Sequence, residues 1–137
     1  MFAHGSPRDP VREYMLPRDI TDDAKMRANW QCMERTVCFV GHSHIPLTVM
    51  RFSDEPSRTA YTLDSDIDLT ETVKALINVG SVGQPRDEIP DTAYALFDAE
   101  LRRASILRIP YDIEAEIARI NRAGLPQVLG ERLRLGV

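Results

Sequence analysis

Three histidines hold the residue types best suited to chemistry in this sequence, and each sits by a glycine or at the end of an apolar run: His4 before Gly5, His42 after Gly41, and His44 two residues on. Neutral imidazole is the commonest metal ligand among side chains, and its charge changes near neutral pH. Two metal ions roughly 3.5–4 Å apart can polarise a phosphoryl oxygen and acidify a water between them, which suits hydrolysis of phosphate esters. On a loop, His42 and His44 can flank such a pair, one to each ion. The competing reading of a lone histidine is a polar side chain satisfied by backbone groups. Three in this setting make that reading the weaker one.

The donor set is short. Each ion held by nitrogen and oxygen needs about four to six donors, so carboxylates must join the imidazoles. Asp9 and Asp87 lie near the right loops, but neither has a spacing that identifies it as a ligand. The loops around them echo each other, since Gly5-Ser6-Pro7-Arg8-Asp9 and Gly83-Gln84-Pro85-Arg86-Asp87 share glycine, proline, arginine and aspartate in register. Arg8 and Arg86 therefore either pair with the oxygens of an anionic substrate in a forked geometry or face water as ordinary turn residues.

The elements that position these residues follow from periodicity. Val37-Cys38-Phe39-Val40 reads as a buried strand that ends at Gly41 and delivers His42 and His44 into a loop. Residues 11–16 read as a short helical turn stopped by Pro17, and Thr21-Asp22-Asp23 as the N-cap of a helix of about four turns. Met26, Trp30, Met33 and Val37 form its apolar stripe, a packing face and no ligand box. Residues 47–52 and 59–63 read as a hairpin with a turn over 53–57, residues 74–79 as a strand ending at glycine, and 93–97 with 104–109 as a second hairpin. Asp64, Asp66 and Asp68 alternate as in a calcium loop, yet the glycine and closing glutamate of an EF-hand are absent, so a solvated loop or strand edge is the better reading. Asp112 caps a helix through Ile113, Ile117 and Ile120 that ends at Gly124, and a last helix over 127–135 should cover the sheet with Val128, Leu129 and Leu133. The sum is five or six strands with helices near both ends: an α+β fold with a mixed sheet flanked by helices.

Composition narrows the classes. At 137 residues the chain has the length of a single domain, spanning 1–137. A net charge of -4 gives no support to nucleic-acid binding. No apolar run approaches a membrane span and no signal peptide is visible, so a cytoplasmic location is expected. Cys32 and Cys38 match neither a redox pair nor a zinc knuckle and read as buried free thiols.

The ordered combination of HGSP, FVGHSHIP, INVGSVGQPRD and PYDIEAEIARI resembles the C-terminal half of the calcineurin-like metallophosphoesterase family, and more narrowly its small prokaryotic phosphodiesterases. The resemblance implies about half of a four-layer αββα sandwich and a hydrolase of phosphomonoesters or phosphodiesters with a binuclear site of manganese, iron or zinc. It implies His4 and His42 as ligands of one metal and His44 as a ligand of the other. The family takes its remaining donors from DxH, GD and GNH motifs in an N-terminal half, and none of these is present here. This chain is then expected to supply part of a site for a small phosphate ester and to be inactive alone. The opening Met1-Phe2-Ala3, inside what the family makes a strand, favours a truncated product or a mistaken start. One apolar sheet face would be left uncovered, which predicts pairing with a complementing N-terminal chain or with a second copy. The alternative is a noncatalytic interaction module that keeps the fold.

Overall fold

The computed structural model describes residues 1–54 and 58–137. Its strands are β1 (Val37–Val40), β2 (Leu47–Phe52), β3 (Thr59–Thr62), β4 (Asp66–Asp68), β5 (Thr72–Asn78), β6 (Thr92–Asp98) and β7 (Arg103–Ile109). They form two sheets, one ordered β1-β5-β2-β3 and the other β4-β7-β6. β1 runs parallel to β5, and every other strand pair is antiparallel. The fold is α+β as expected, but the described residues hold seven strands rather than five or six. The extra strand is β4, where Ile67 is the one buried residue between exposed Asp66 and Asp68, too little for periodicity to register. Both predicted hairpins form, as β2 with β3 and β6 with β7. Of the turn expected over 53–57, residues 55–57 lie outside the described residues.

Alternation along the first sheet divides the core in two. Cys38, Val40, Leu47, Val49 and Leu76 point to one face, where Met26 and Trp30 of helix α1 (Asp23–Cys32) cover them together with Met15 and Met33. Ala75 and Ile77 point the other way and meet Ile67, Leu69, Ala93, Ala104 and Ile106 of the second sheet and its approach. One sheet is therefore covered on both faces, by a helix and by the other sheet. Each fully buried Leu or Ile side chain here contributes about 1.5–3 kcal/mol over its exposed form.

Three helical expectations need correction. Residues 11–16 do not form a helical turn that Pro17 stops; Pro17 instead opens a 3-10 turn over Pro17–Thr21, because a first helical position has no N–H to lose. Helix α1 starts as predicted, with Asp22 accepting from the N–H of Lys25 at 2.9 Å, but it has 10 residues rather than four turns, and Val37 belongs to β1. Both cysteines are free thiols, but only Cys38 is buried as expected; Cys32, in the last turn of α1, is exposed. The last segment is a helix α3 (Val128–Glu131) followed by a 3-10 turn over Arg132–Arg134, and Val128 is 60% exposed rather than packed on a sheet. Its neighbour α2 (Ile113–Arg122) matches prediction: Asp112 accepts from Ala115 N–H at 2.9 Å, and Gly124 ends it at φ 70°. Ile117 packs so closely on Gly130 that a Cβ there would come within 3.1 Å. Among the described residues no helix is long and apolar enough to cross a membrane.

The N-terminal residues run beside β1. Phe39 N–H donates to Met1 O and Ala3 N–H to Phe39 O, both at 3.0 Å, and Gly41 N–H donates to His4 O at 3.0 Å. This parallel contact carries His4 to the end of β1, where the glycine-flanked loop begins.

Candidate functional site

The three histidines converge. His4, His42 and His44 line one cleft of about 740 Å³ between the end of β1, the loop after β5, and β6. His4 Nε2 and His42 Nδ1 are 2.7 Å apart. Two nitrogens bound side by side to one ion at about 2.0–2.1 Å would themselves stand about 3 Å apart, so this spacing fits a shared ion. In the absence of an ion, the same spacing is an N–H···N hydrogen bond.

His44 is held differently. Its Nδ1 lies 2.7 Å from the carbonyl oxygen of Gln84. A carbonyl only accepts, so Nδ1 carries the proton and Nε2 keeps the lone pair, which is how outer partners orient a ligating imidazole. Burial pulls the His44 pKa below the ordinary value; the Gln84 contact opposes this, and Arg86, His4 and His42 add repulsion. The ring is neutral at neutral pH, the form a metal binds.

The backbone between them is strained. His42 and His44 have φ of 61° and 62°, in the left-handed region that costs an L residue roughly 1–2 kcal/mol, and they are two of four such non-glycine residues among those described. Such strain persists only where surroundings over-determine it. Here the determinant is Asn78 at the end of β5, fully buried. Its amide donates to Gly41 O at 2.6 Å and to Ser43 Oγ at 2.7 Å, while its oxygen accepts from Gly80 N–H at 3.0 Å. Gly80 is required by this fit: φ is 81°, and a Cβ would meet Ala93 at 2.8 Å and Pro46 at 2.9 Å.

The loop after His4 folds back on itself. A Cβ on Gly5 would come within 2.6 Å of Asp9 O and 3.0 Å of the Glu13 backbone, so only glycine fits. Arg8 is spent within this loop, donating through Nε at 2.9 Å and through Nη2 to Glu13. Ser6 Oγ donates to the same carboxylate at 2.6 Å and Asn29 Nδ2 at 2.9 Å. Burial alone would raise the Glu13 pKa, but hydrogen bonds from Arg8, Ser6 and Asn29, with the charge of Arg8, outweigh it and hold the value at about 2. Arg86 bonds Gln84 Oε1 at 2.8 Å, and its N–H donates to His44 O at 3.2 Å. Neither arginine lines the cleft. Asp9 caps its own turn by accepting from Arg12 N–H at 3.0 Å, and Asp87 pairs with Arg108.

The remainder of the cleft is mostly apolar. Phe2 stacks on Phe39 at 5.3 Å between ring centres and Phe39 meets Phe97 edge-on at 5.4 Å, so the N-terminal residues beside β1 and the edge strand β6 lie on one side of the molecule. Phe2 is 83% exposed and Val82 72%. Among the described residues no group of three or more His, Cys, Asp or Glu side chains forms a metal site. The residues present fit part of one: three imidazoles without carboxylates.

Sequence reasoning found the histidines through their glycines and missed Asn78, Glu13 and Tyr14. The signal for Asn78 was its place at the end of a buried strand, directly before the second glycine loop. Glu13 and Tyr14 offered none, because their partners are scattered along the chain.

These features match about half of a metallophosphoesterase fold. Over 99% of its length the chain superposes on the crystal structure of a metallophosphoesterase from Sphaerobacter thermophilus, with a TM-score of 0.85 and 35% identity, covering 54% of that chain. A hypothetical protein from Pyrococcus horikoshii OT3 shares the fold at a TM-score of 0.70 and 23% identity, with 99% of this chain and 46% of that one covered. In sequence, the chain is 39% identical over 137 residues to an uncharacterized protein of Methanocaldococcus jannaschii, covering 99% of this chain and 51% of that protein. The chain thus spans about half the length of the relatives it matches. No protein-family profile matches it.

Proposed function

We propose that this chain contributes half of a metal-dependent phosphoesterase site, in which His4 and His42 hold one divalent ion, His44 holds the second, and further polypeptide completes both coordination shells. The observation that supports this reading most is the convergence of three imidazoles on one cleft, two of them on strained backbone that a packing role would not require. A divalent ion here would supply Lewis acidity toward a phosphoryl oxygen and acidify water. The chain's own part is to present the imidazoles: Gln84 fixes the tautomer of His44, and Asn78 fixes the loop. Arg86 is the better candidate for a phosphate contact, by swinging off Gln84 Oε1 into the cleft, since Arg8 already neutralises Glu13. The substrate is a small phosphomonoester or diester, the metal manganese, iron or zinc, and the setting cytoplasmic.

The side bounded by the N-terminal residues and β6 is where completing polypeptide would dock, because the edge strand β6 and the exposed Phe2, stacked on Phe39, favour pairing. That same side supports the second reading, an interaction module that pairs with itself or another chain without catalysis.

The test is elemental analysis after purification without chelator, followed by hydrolysis of a chromogenic phosphodiester with added manganese. Metal retained by the chain alone, with turnover appearing only when a complementing N-terminal polypeptide is supplied, is the expected result. No metal and no turnover in either form would sink the enzyme reading and leave the module, which light scattering would then show as an oligomer.

A further inference from the structure

His42 is gripped on two sides. Its Nδ1 meets His4, and its ring face lies against Tyr14, with ring centres 3.9 Å apart and planes inclined by 29°. Among the described residues these are its two ring contacts. A ring on left-handed backbone has no helix or strand neighbours to fix its rotamer, so what stacks on it decides where its nitrogens point.

Tyr14 is itself immobilised from below. Its carbonyl accepts from Lys25 Nζ of α1 at 2.8 Å, and Lys25 also pairs with Asp19 at 2.8 Å. Glu13, its neighbour, binds Ser6 and Arg8 of the His4 loop and Asn29 of α1. Asn29 closes the circuit, its side-chain oxygen accepting from Arg8 N–H at 3.2 Å. Met15, on the far side, is buried to 1% exposure in the core under α1. Residues 13–15 are thus pinned to helix and loop at three successive positions. The tyrosine ring, 43% exposed, is the part that reaches His42.

We infer that Tyr14 is a positioning residue: it clamps the His42 imidazole against His4 so that both present nitrogen to one ion, and the Glu13 network holds the clamp. The inference rests on His42 being a ligand, as proposed above. A phenyl ring stacks as well as a phenol, whereas an aliphatic side chain fills space without fixing ring orientation. Tyr14→Phe and Tyr14→Leu therefore separate the clamp from mere packing.

The experiment has two readouts on the same proteins, with unchanged thermal midpoints confirming that both variants fold. In metal-free protein, histidine ring NMR reports the stack: the His42 ring protons lose their ring-current shift in Tyr14→Leu and keep it in Tyr14→Phe. In a zinc titration, Tyr14→Leu weakens binding by about 10–100-fold, the usual effect of losing a group that orients a ligand, and Tyr14→Phe stays within about twofold of the parent. His42 resonances that do not move in Tyr14→Leu, or zinc affinity equal in both variants and the parent, overturn the clamp. If the parent binds no zinc, the ligand reading fails, and the NMR result alone decides whether the clamp stands.

Discussion

Residues 4–14 are fixed by side chains gathered around a partly buried carboxylate, whereas residues 41–46 are fixed by neutral hydrogen bonds, chiefly those of the Asn78 amide. Glu13 collects donors from Ser6, Arg8 and Asn29, so that loop is held by charge-assisted hydrogen bonds. The His42 and His44 loop has no charge at its centre; Asn78 holds Gly41 and Ser43, the backbone of Gln84 and Arg86 holds His44, and these neutral bonds balance the strain at two positive φ angles. A network of several donors weakens by degrees and responds to pH. An amide staple fails as a whole.

Asn78→Ala breaks the second loop and is expected to have the largest effect. It leaves Gly41 O, Ser43 Oγ and Gly80 N–H without their buried partner, a loss of about 2–4 kcal/mol read from the urea midpoint. Asn78→Asp should not restore it, because a carboxylate cannot donate to Gly41 O.

Glu13→Gln tests the first loop and should cost about 1–3 kcal/mol near neutral pH. The sign of its pH dependence is fixed by the depressed pKa. Folding favours the ionised Glu13, so its contribution is complete above the ordinary value of 4.5 and drains away as pH falls toward about 2. The stability gap between parent and variant should therefore close across that window. A gap constant down to pH 2 would show that the network owes nothing to charge.

The smallest effect concerns strain itself. His42→Gly and His42→Ala both remove the imidazole, but glycine accepts φ of 61° freely. The glycine variant should unfold about 1 kcal/mol later than the alanine variant.

Much of the framework was legible from pattern. Apolar runs separated by turn residues marked β2, β6 and β7, and Asp112 with Gly124 bracketed α2 by cap chemistry. The split into two sheets was not legible, since nothing in the apolar face of a strand names the layer it packs against. Pro17 misled because proline signals both the end of one helix and the first residue of another. Within the site, the histidines announced themselves through flanking glycines. Arg8 looked free because Glu13, five residues away across a turn, had no periodic relation to it.

The positive φ at His42 and His44 also acts as a sieve on what evolution or design can exchange there. Asparagine and aspartate enter left-handed backbone more readily than other chiral residues, so they are the swaps that alter donor chemistry while leaving the main chain at rest. Cysteine or glutamate, good ligands elsewhere, would have to bend the loop first. The repertoire of ions this scaffold can be tuned to accept is thus filtered by torsion angle before affinity is ever consulted.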